Sequence, residues 1–519
     1  MGRGFMRIDF TVGSFLARAA LVQPTGTACV DEPGAVGSLG SLTYAELSAR
    51  AQGLARSLAD RGIAEGDRVA IISPNAAKFL ICFFGVSGAG RILVPINYRL
   101  SEEDIAYILE HSGSRLVLVD PDQAHLVPSR PDLDIVVLDG VRDAALFAPL
   151  GERSPVLWEA DEDATCSINY TSGTTARPKG VQLTHRNCWT NATTFGWHVG
   201  ISDRDVLLHT LPMFHANGWG MPYAATAMAA RHIVLRKIDG EDILGRIERE
   251  GVTVLCCAPA VVAAMLDALA ARRAAGLGFT PRSAVRVVVA GAPPPSKTIE
   301  RVETELGFEF IQIYGLTETS PLLTVNRATA EMAALPAAAR AKLLARAGVP
   351  AVGVEIAVDD QGEVLARANH VFASYWNQPD ATSEALEGGW FHTGDGGYLD
   401  GPYTVITDRK KDVIITGGEN VSSIEVEDCL FSHEAVAEVA VIGIPDAQWG
   451  EMVTALVVLR PDATATEDDL IAHCRQHLAH FKAPKRVVLR DELARTATGK
   501  LQKYKLRAEF WAGHDRSIN

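Results

Sequence analysis

Residues 170–187 read YTSGTTARPKGVQLTHRN. Five hydroxyl side chains, Tyr170, Thr171, Ser172, Thr174 and Thr175, stand beside Gly173, Arg177, Pro178, Lys179 and Gly180. Packing alone would not select this mixture. Glycine and hydroxyl residues offer backbone N–H and O–H donors to an anion, and a lysine adds a point charge. The chemistry implied is the cradling of a polyphosphate; an ordinary polar turn is the competing reading. The common P-loop is excluded, because there Gly precedes the Lys and Ser or Thr follows it. Here Pro178 precedes Lys179 and Gly180 follows.

Other stretches carry candidate chemistry. Tyr314-Gly315-Leu316-Thr317-Glu318-Thr319 follows the apolar run Phe310-Ile311-Gln312-Ile313. A glycine lets a ligand approach the backbone, and a carboxylate beside a phosphate loop suggests Mg²⁺. Trp390-Phe391-His392-Thr393-Gly394-Asp395 ends in an Asp that could accept both hydroxyls of a ribose, although a turn Asp is the commoner role. Residues 211–219, LPMFHANGW, are apolar around the lone His215. Lys500 sits in Thr496-Ala497-Thr498-Gly499-Lys500-Leu501, where a solvated lysine is the ordinary expectation. His473 and His477 lie four residues apart, with His480 beyond. Zinc can use such a pair, but the Glu of H-E-x-x-H is absent, so a solvated helix face is the better reading.

In this order the motifs resemble the signatures of adenylate-forming enzymes: acyl-CoA synthetases, firefly luciferase and nonribosomal-peptide adenylation domains. The resemblance runs over roughly residues 40–510. One departure is Ala176, where most members have Gly; alanine tolerates positive φ less well. The resemblance implies a role for each matching residue. Thr171, Ser172, Gly173, Thr174, Thr175 and Lys179 hold phosphates, and Thr171 with Glu318 binds Mg²⁺. Gly291-Ala292-Pro293 matches the adenine side, with Gln312 near it. Tyr314 stacks on adenine, Thr317 meets the α-phosphate, and Asp395 with Arg409 holds the ribose. Gly315, His215 and Trp219 border the acyl pocket, His215 standing between it and the nucleotide. Lys500 matches the catalytic lysine, Lys411 the hinge, and Gly418 of Thr416-Gly417-Gly418-Glu419-Asn420 the loop beside the pantetheine tunnel. The texture of LPMFHANGW and IITGGENVSSIEVED resembles the branch acting on short- and medium-chain fatty or aryl acids. The expected activity is therefore an AMP-forming acid–thiol ligase. It joins a carboxylic acid to CoA through an acyl-adenylate and releases AMP and pyrophosphate. The alternatives are an acyl-AMP ligase that loads a carrier protein, a luciferase-like oxygenase, and a catalytically dead nucleotide-binding regulator; intact Lys179, Glu318, Asp395 and Lys500 argue against the last.

These residues need elements to place them. Leu47, Ala51, Leu54, Ala55 and Leu58 recur at helical spacing, and Thr43 can cap that helix. Strand 69–72, helix 76–89, strand 92–96, helix 101–111 and strand 115–119 alternate, as do 206–211, 232–236, 241–250, 253–258, 259–273 and 285–290. Alternation of this kind means α/β with mainly parallel sheet. The Ala-rich 328–347 reads as an excursion from the core. From about residue 409 the texture changes to helix 423–432, strands 436–443 and 452–459, helix 466–479 and strand 485–489. The expected organisation is a large multi-subdomain unit, 1–408, and a small mobile α+β unit, 409–519, hinged near 408–412.

Composition bounds the rest. A chain of 519 residues is too long for one core. Lys and Arg number 49 against 63 Asp and Glu, a net charge of −14 that argues against a nucleic-acid partner. Eight scattered cysteines without a C-x-x-C pair read as buried free thiols of a reducing compartment, hence a cytoplasmic location. The N-terminal residues lack the apolar core of a signal peptide. The apolar stretch 78–94 is broken by Gly85, Gly88, Gly90 and Arg91, so it reads as a buried helix and strand rather than a membrane span. A homodimer is left open.

Overall fold

The computed structural model describes residues 8–171, 177–292, 294–409, 412–416, 419–446, 449–495 and 501–512. Two large sheets carry most of the chain. In the nine-stranded one, Arg231–Val234, Val206–His209, Val254–Cys257, Arg286–Val289 and Glu309–Gly315 run parallel side by side. Their central residues are buried on both faces, so they read as near-continuous apolar runs, such as Val254–Cys257 and Val287–Val289, instead of alternating ones. The seven-stranded sheet has Arg68–Ile72 between Ile92–Ile96 and Ser114–Val119, all parallel. It ends in the antiparallel hairpin Thr165–Thr171/Lys179–Thr184, to which the short strand Ser374–Tyr375 adds.

The helices form where their caps and apolar stripes dictate. Thr43 accepts from Glu46 N, and the Glu46 carboxylate accepts from Thr43 N at 2.8 Å, a reciprocal box that starts Tyr44–Asp60. Its buried face is Leu47, Ala51, Leu54, Ala55 and Leu58. Ala77–Gly85 is buried all round, and inside it Lys78 is ion-paired with the fully buried Asp143. Among the described residues no helix is long and apolar enough to cross a membrane.

Two segments differ from the sequence expectation. The Ala-rich stretch is not an excursion. Its helices Ala330–Ala333 and Ala337–Leu344 insert Met332, Ala341 and Leu344 into the core beside the nine-stranded sheet. Small alanines allow that close approach without a conspicuous apolar stripe. Between them and residue 409, where the sequence suggested no elements, lies an antiparallel sheet of Val354–Val358, Glu363–Ala368, Phe391–Asp400 and Tyr403–Arg409. Gly394, Gly396 and Gly397 lower the intrinsic strand preference of Phe391–Asp400, so its partners decide its conformation.

From Ile414 onward a five-stranded sheet forms around the long hairpin Val436–Asp446/Gly450–Leu459. Ser423–Phe431, Glu467–His477 and Lys503–Trp511 pack with it. This sheet has its own apolar core of Val426, Leu430, Val439, Val441, Val453 and Val457.

Candidate functional site

The phosphate-loop candidate is the turn of the antiparallel hairpin. Thr171 ends one strand directly opposite Lys179, which begins the other. Ser172, Gly173, Thr174, Thr175 and Ala176 lie outside the described residues. Lys179 Nζ sits 4.7 Å from the centre of the Tyr375 ring, a cation held against a π face. Arg177 lies over Tyr107 at 5.0 Å, and the Tyr170 hydroxyl meets His111 Nδ1 at 2.8 Å. Those two contacts hold the flanks of the turn against the helix Glu102–Ser112.

The second group sits where Glu309–Gly315 turns back into Leu322–Arg327. A Cβ on Gly315 would stand 1.5 Å from the Pro321 carbonyl oxygen, so the first demand for glycine here is internal. Thr317–Thr319 form a single tight turn, locked by Leu316 N donating to Thr319 Oγ1 at 3.0 Å. Glu318 is buried, and its Oε1 accepts from the Tyr375 hydroxyl at 2.8 Å. Burial pushes its pKa up, opposed by the Tyr375 hydrogen bond and by the charges of Arg409 and Lys179. Thr317 is half-buried beside it.

Tyr314 donates its hydroxyl to Asp395 Oδ2 at 2.7 Å. Burial and the Asp395 charge hold that phenol protonated. Asp395 faces Arg409 across the antiparallel pair, with Arg409 Nε 3.5 Å from Oδ1. On the parallel side, Gln312 pairs in register with Val289. Just past Val289 the chain turns through Gly291, at φ 95°, and exposed Ala292; Pro293 lies outside the described residues. Gln312 Oε1 is buried and has no partner among the described residues, an acceptor ready for an amine. Thus Lys179, Glu318, Tyr314, Asp395 and Arg409 are brought together, from three different sheets.

His215 and Trp219 flank an unusual turn. Ala216, Asn217, Gly218 and Trp219 have φ of 45, 51, 58 and 60°, four successive left-handed residues. Left-handed backbone costs about 1–2 kcal/mol per non-glycine residue, so something must hold it. Asn217 Nδ2 donates to Ser167 Oγ at 2.8 Å, and its Oδ1 accepts from Asn169 at 3.2 Å. Asn191 donates to the Trp219 carbonyl at 3.1 Å and accepts from Leu322 N at 3.1 Å. Asn75 holds the approach, donating to the Leu211 carbonyl at 3.0 Å and accepting from Met213 N at 2.7 Å. Trp219 is buried and His215 is half-buried.

Lys411, Gly418 and Lys500 lie outside the described residues. Their flanks are anchored. Arg495 and Leu501 form an antiparallel bridge. On the last helix, Lys503 Nζ stands 2.8 Å from Glu427, and Arg507 Nη2 stands 2.5 Å from Asp412. Ser423 N donates to Asp408 Oδ2 at 2.9 Å. The histidine pair of the small unit has local partners: His473 Nε2 meets Ser432 Oγ at 2.9 Å and the Cys429 carbonyl at 3.1 Å.

Sequence reasoning missed Tyr375, Asn191 and Asn75. Tyr375 lies in Ser374-Tyr375-Trp376, which carries no chemical signature, and only its register against the phosphate hairpin reveals it. Asn217 stood inside a quoted motif, but nothing in its neighbours announced the left-handed turn.

The family model described as AMP-binding enzyme matches residues 16–376, and that of the AMP-binding enzyme C-terminal domain matches 425–500. The chain is 38% identical to 4-hydroxybutyrate–CoA ligase 2 of Metallosphaera sedula, covering 88% of this chain and 87% of that protein. It is 37% identical to 2-methylpropanoate–CoA ligase CCL4 of Humulus lupulus, over 95% of this chain and 94% of that one. Among solved structures, the anthranilate CoA ligase AuaEII in complex with anthranoyl-AMP superimposes with a TM-score of 0.85 at 26% identity, covering 98% of this chain and 99% of that one.

The left-handed turn generates a stability prediction. Asn217→Ala takes the acceptor from Asn169 Nδ2 and a donor from Ser167 Oγ, whose own hydrogen bond to Asn169 Oδ1 remains, and keeps the backbone penalty, so it should destabilise by about 2 kcal/mol. Asn217→Gly loses the same hydrogen bonds but relieves the strain, and should recover about 1 kcal/mol of that loss. Urea unfolding midpoints measure both. Equal midpoints for the two variants would mean the turn is not under strain.

Proposed function

The chain belongs to the AMP-binding enzyme family, and from that premise we propose how its residues activate a monocarboxylic acid as an acyl-adenylate and pass the acyl group to CoA. The observation that carries the reading is the junction of Lys179, Glu318, Tyr314, Asp395 and Arg409: two buried carboxylates and two cations, framed by phenol rings. Such a site suits a ligand with a ribose, a polyphosphate and a divalent cation.

Asp395 accepts from the ribose hydroxyls, its carboxylate fixed by Arg409 and the Tyr314 hydroxyl. The unpartnered Gln312 Oε1 accepts from the adenine amine. Thr171 and Lys179 bind the β- and γ-phosphates. Glu318 with Thr171 offers hard oxygen donors, the set that suits Mg²⁺, which binds through one or two carboxylates plus substrate phosphates. When bound, Mg²⁺ neutralises phosphate charge. Thr317 donates to the α-phosphate. The acid's carboxylate oxygen attacks the α-phosphorus and pyrophosphate leaves. Lys500 balances the charge gathered as two anions meet. The CoA thiolate then attacks the acyl carbonyl, and the C–O bond to AMP breaks. The unit from residue 409 turns about Lys411 between these steps, bringing Lys500 for the first and the Gly418 loop for the second. Eight free, buried thiols fit a cytoplasmic setting. The first test is product analysis: AMP and pyrophosphate should appear, strictly dependent on Mg²⁺ and an acid. ADP and phosphate as primary products would sink adenylation.

The acid is short, apolar and monocarboxylic. Met213, Phe214 and Trp219 are buried around His215. Residues 211–220 and 314–323 hold no Lys or Arg to pair with a second carboxylate, and an unpaired buried charge is costly. The relatives named for 4-hydroxybutyrate and 2-methylpropanoate act on acids of that size. In a pyrophosphate-release screen, a C4 monocarboxylate should turn over faster than malonate; the reverse order refutes this pocket reading.

The half-reactions should fail separately. Lys500→Ala should slow adenylation by about 10²–10³ while thioester formation from supplied acyl-adenylate survives. Gly418→Leu should leave pyrophosphate exchange intact and abolish CoA-ester formation. Equal loss of both steps in both folded variants would refute domain alternation.

A further inference from the structure

Tyr375 stands outside every motif quoted from the sequence, yet it touches both charges of the phosphate site. It pairs opposite Val181, two residues from Lys179. Its hydroxyl donates to Glu318 Oε1 at 2.8 Å, and its ring face lies 4.7 Å from Lys179 Nζ. The same segment grips both neighbours through its backbone. Phe372 N donates to the Glu318 carbonyl at 2.7 Å, and Trp376 N to the Gly180 carbonyl at 2.7 Å. Tyr375 N donates to Thr382 Oγ1 at 2.9 Å, and the Phe372 ring packs 4.7 Å away. The ring is therefore fixed from three sides.

We propose that Tyr375 is a positioning residue for adenylation: its hydroxyl aims the Glu318 carboxylate at the metal position, and its ring seats the Lys179 ammonium. This rests on the adenylation reading above. One side chain serves both signs of charge because a phenol offers an O–H donor at its edge and negative density on its face. If Tyr375 only filled apolar space, phenylalanine would serve as well.

Tyr375→Phe keeps the ring and removes the donor. A hydrogen bond to a charged group is worth roughly a tenfold change or more in binding. Mn²⁺ affinity for the enzyme with a non-hydrolysable ATP analogue, read by EPR, should therefore fall about tenfold. The KM for Mg²⁺ should rise similarly, with kcat at saturating Mg²⁺ nearly unchanged. Tyr375→Leu, which also removes the ring, should raise the KM for ATP as well. The proposal is overturned if Tyr375→Phe, at wild-type melting temperature, matches wild type in Mn²⁺ affinity and in the KM for Mg²⁺. Wild-type enzyme that binds Mn²⁺ with nucleotide but exchanges no pyrophosphate with any acid would instead refute adenylation, and the Mn²⁺ comparison would still judge Tyr375.

Discussion

Two phenol-to-carboxylate hydrogen bonds tie three sheets to one point. Tyr314, on the nine-stranded sheet, reaches Asp395 on the antiparallel sheet. Tyr375, on the seven-stranded sheet, reaches Glu318 at the turn after Glu309–Gly315. Each carboxylate is more than nine-tenths buried and would be costly without a partner. Each finds its donor on a different sheet. The site can therefore form only where the sheets meet, and the meeting is stabilised by satisfying the site. Two cations, Lys179 and Arg409, complete the balance. The cluster is preorganised because its anions already have directional partners.

The segment after Phe214 is built on a different principle. There the backbone itself is bent into a conformation that L-residues avoid, from Ala216 to Trp219. Strain of this kind persists only when the surroundings over-determine it. Three buried asparagines do so: each uses its amide to donate and accept at once. A segment carrying one histidine thereby acquires a fixed shape without ordinary right-handed helix or strand dihedrals.

The parallel strands were legible because double burial writes near-continuous apolar runs, as in Val287 to Val289 or Val254 to Cys257. The hairpin Thr165–Thr171/Lys179–Thr184 was legible because the hydroxyl-rich stretch between its strands has no packing explanation. Asp395 was visible as a residue, but not the strand that presents it, because Gly394, Gly396 and Gly397 erase its pattern. Gly315 was visible for its suggested room for a ligand, and the structure adds an internal demand for glycine, since a Cβ there would collide with the Pro321 carbonyl oxygen. Tyr375 left no trace at all. Its importance comes from sheet register, which pairs residues 181 and 375, and no local pattern encodes a separation of that length.

Asn217 has one more consequence. Its anchors, Ser167 and Asn169, lie on the strand that ends at Thr171, so the left-handed turn 216–219 hangs from the strand that leads into the phosphate-loop candidate. Under the proposed function, a shift of that strand on nucleotide binding would reach the turn carrying His215 and Trp219. The two ligands would then be energetically linked. Linkage is reciprocal: whatever factor ATP lends to the affinity for the acid, the acid must lend to the affinity for ATP. Asn217 is the joint through which that cooperativity would pass.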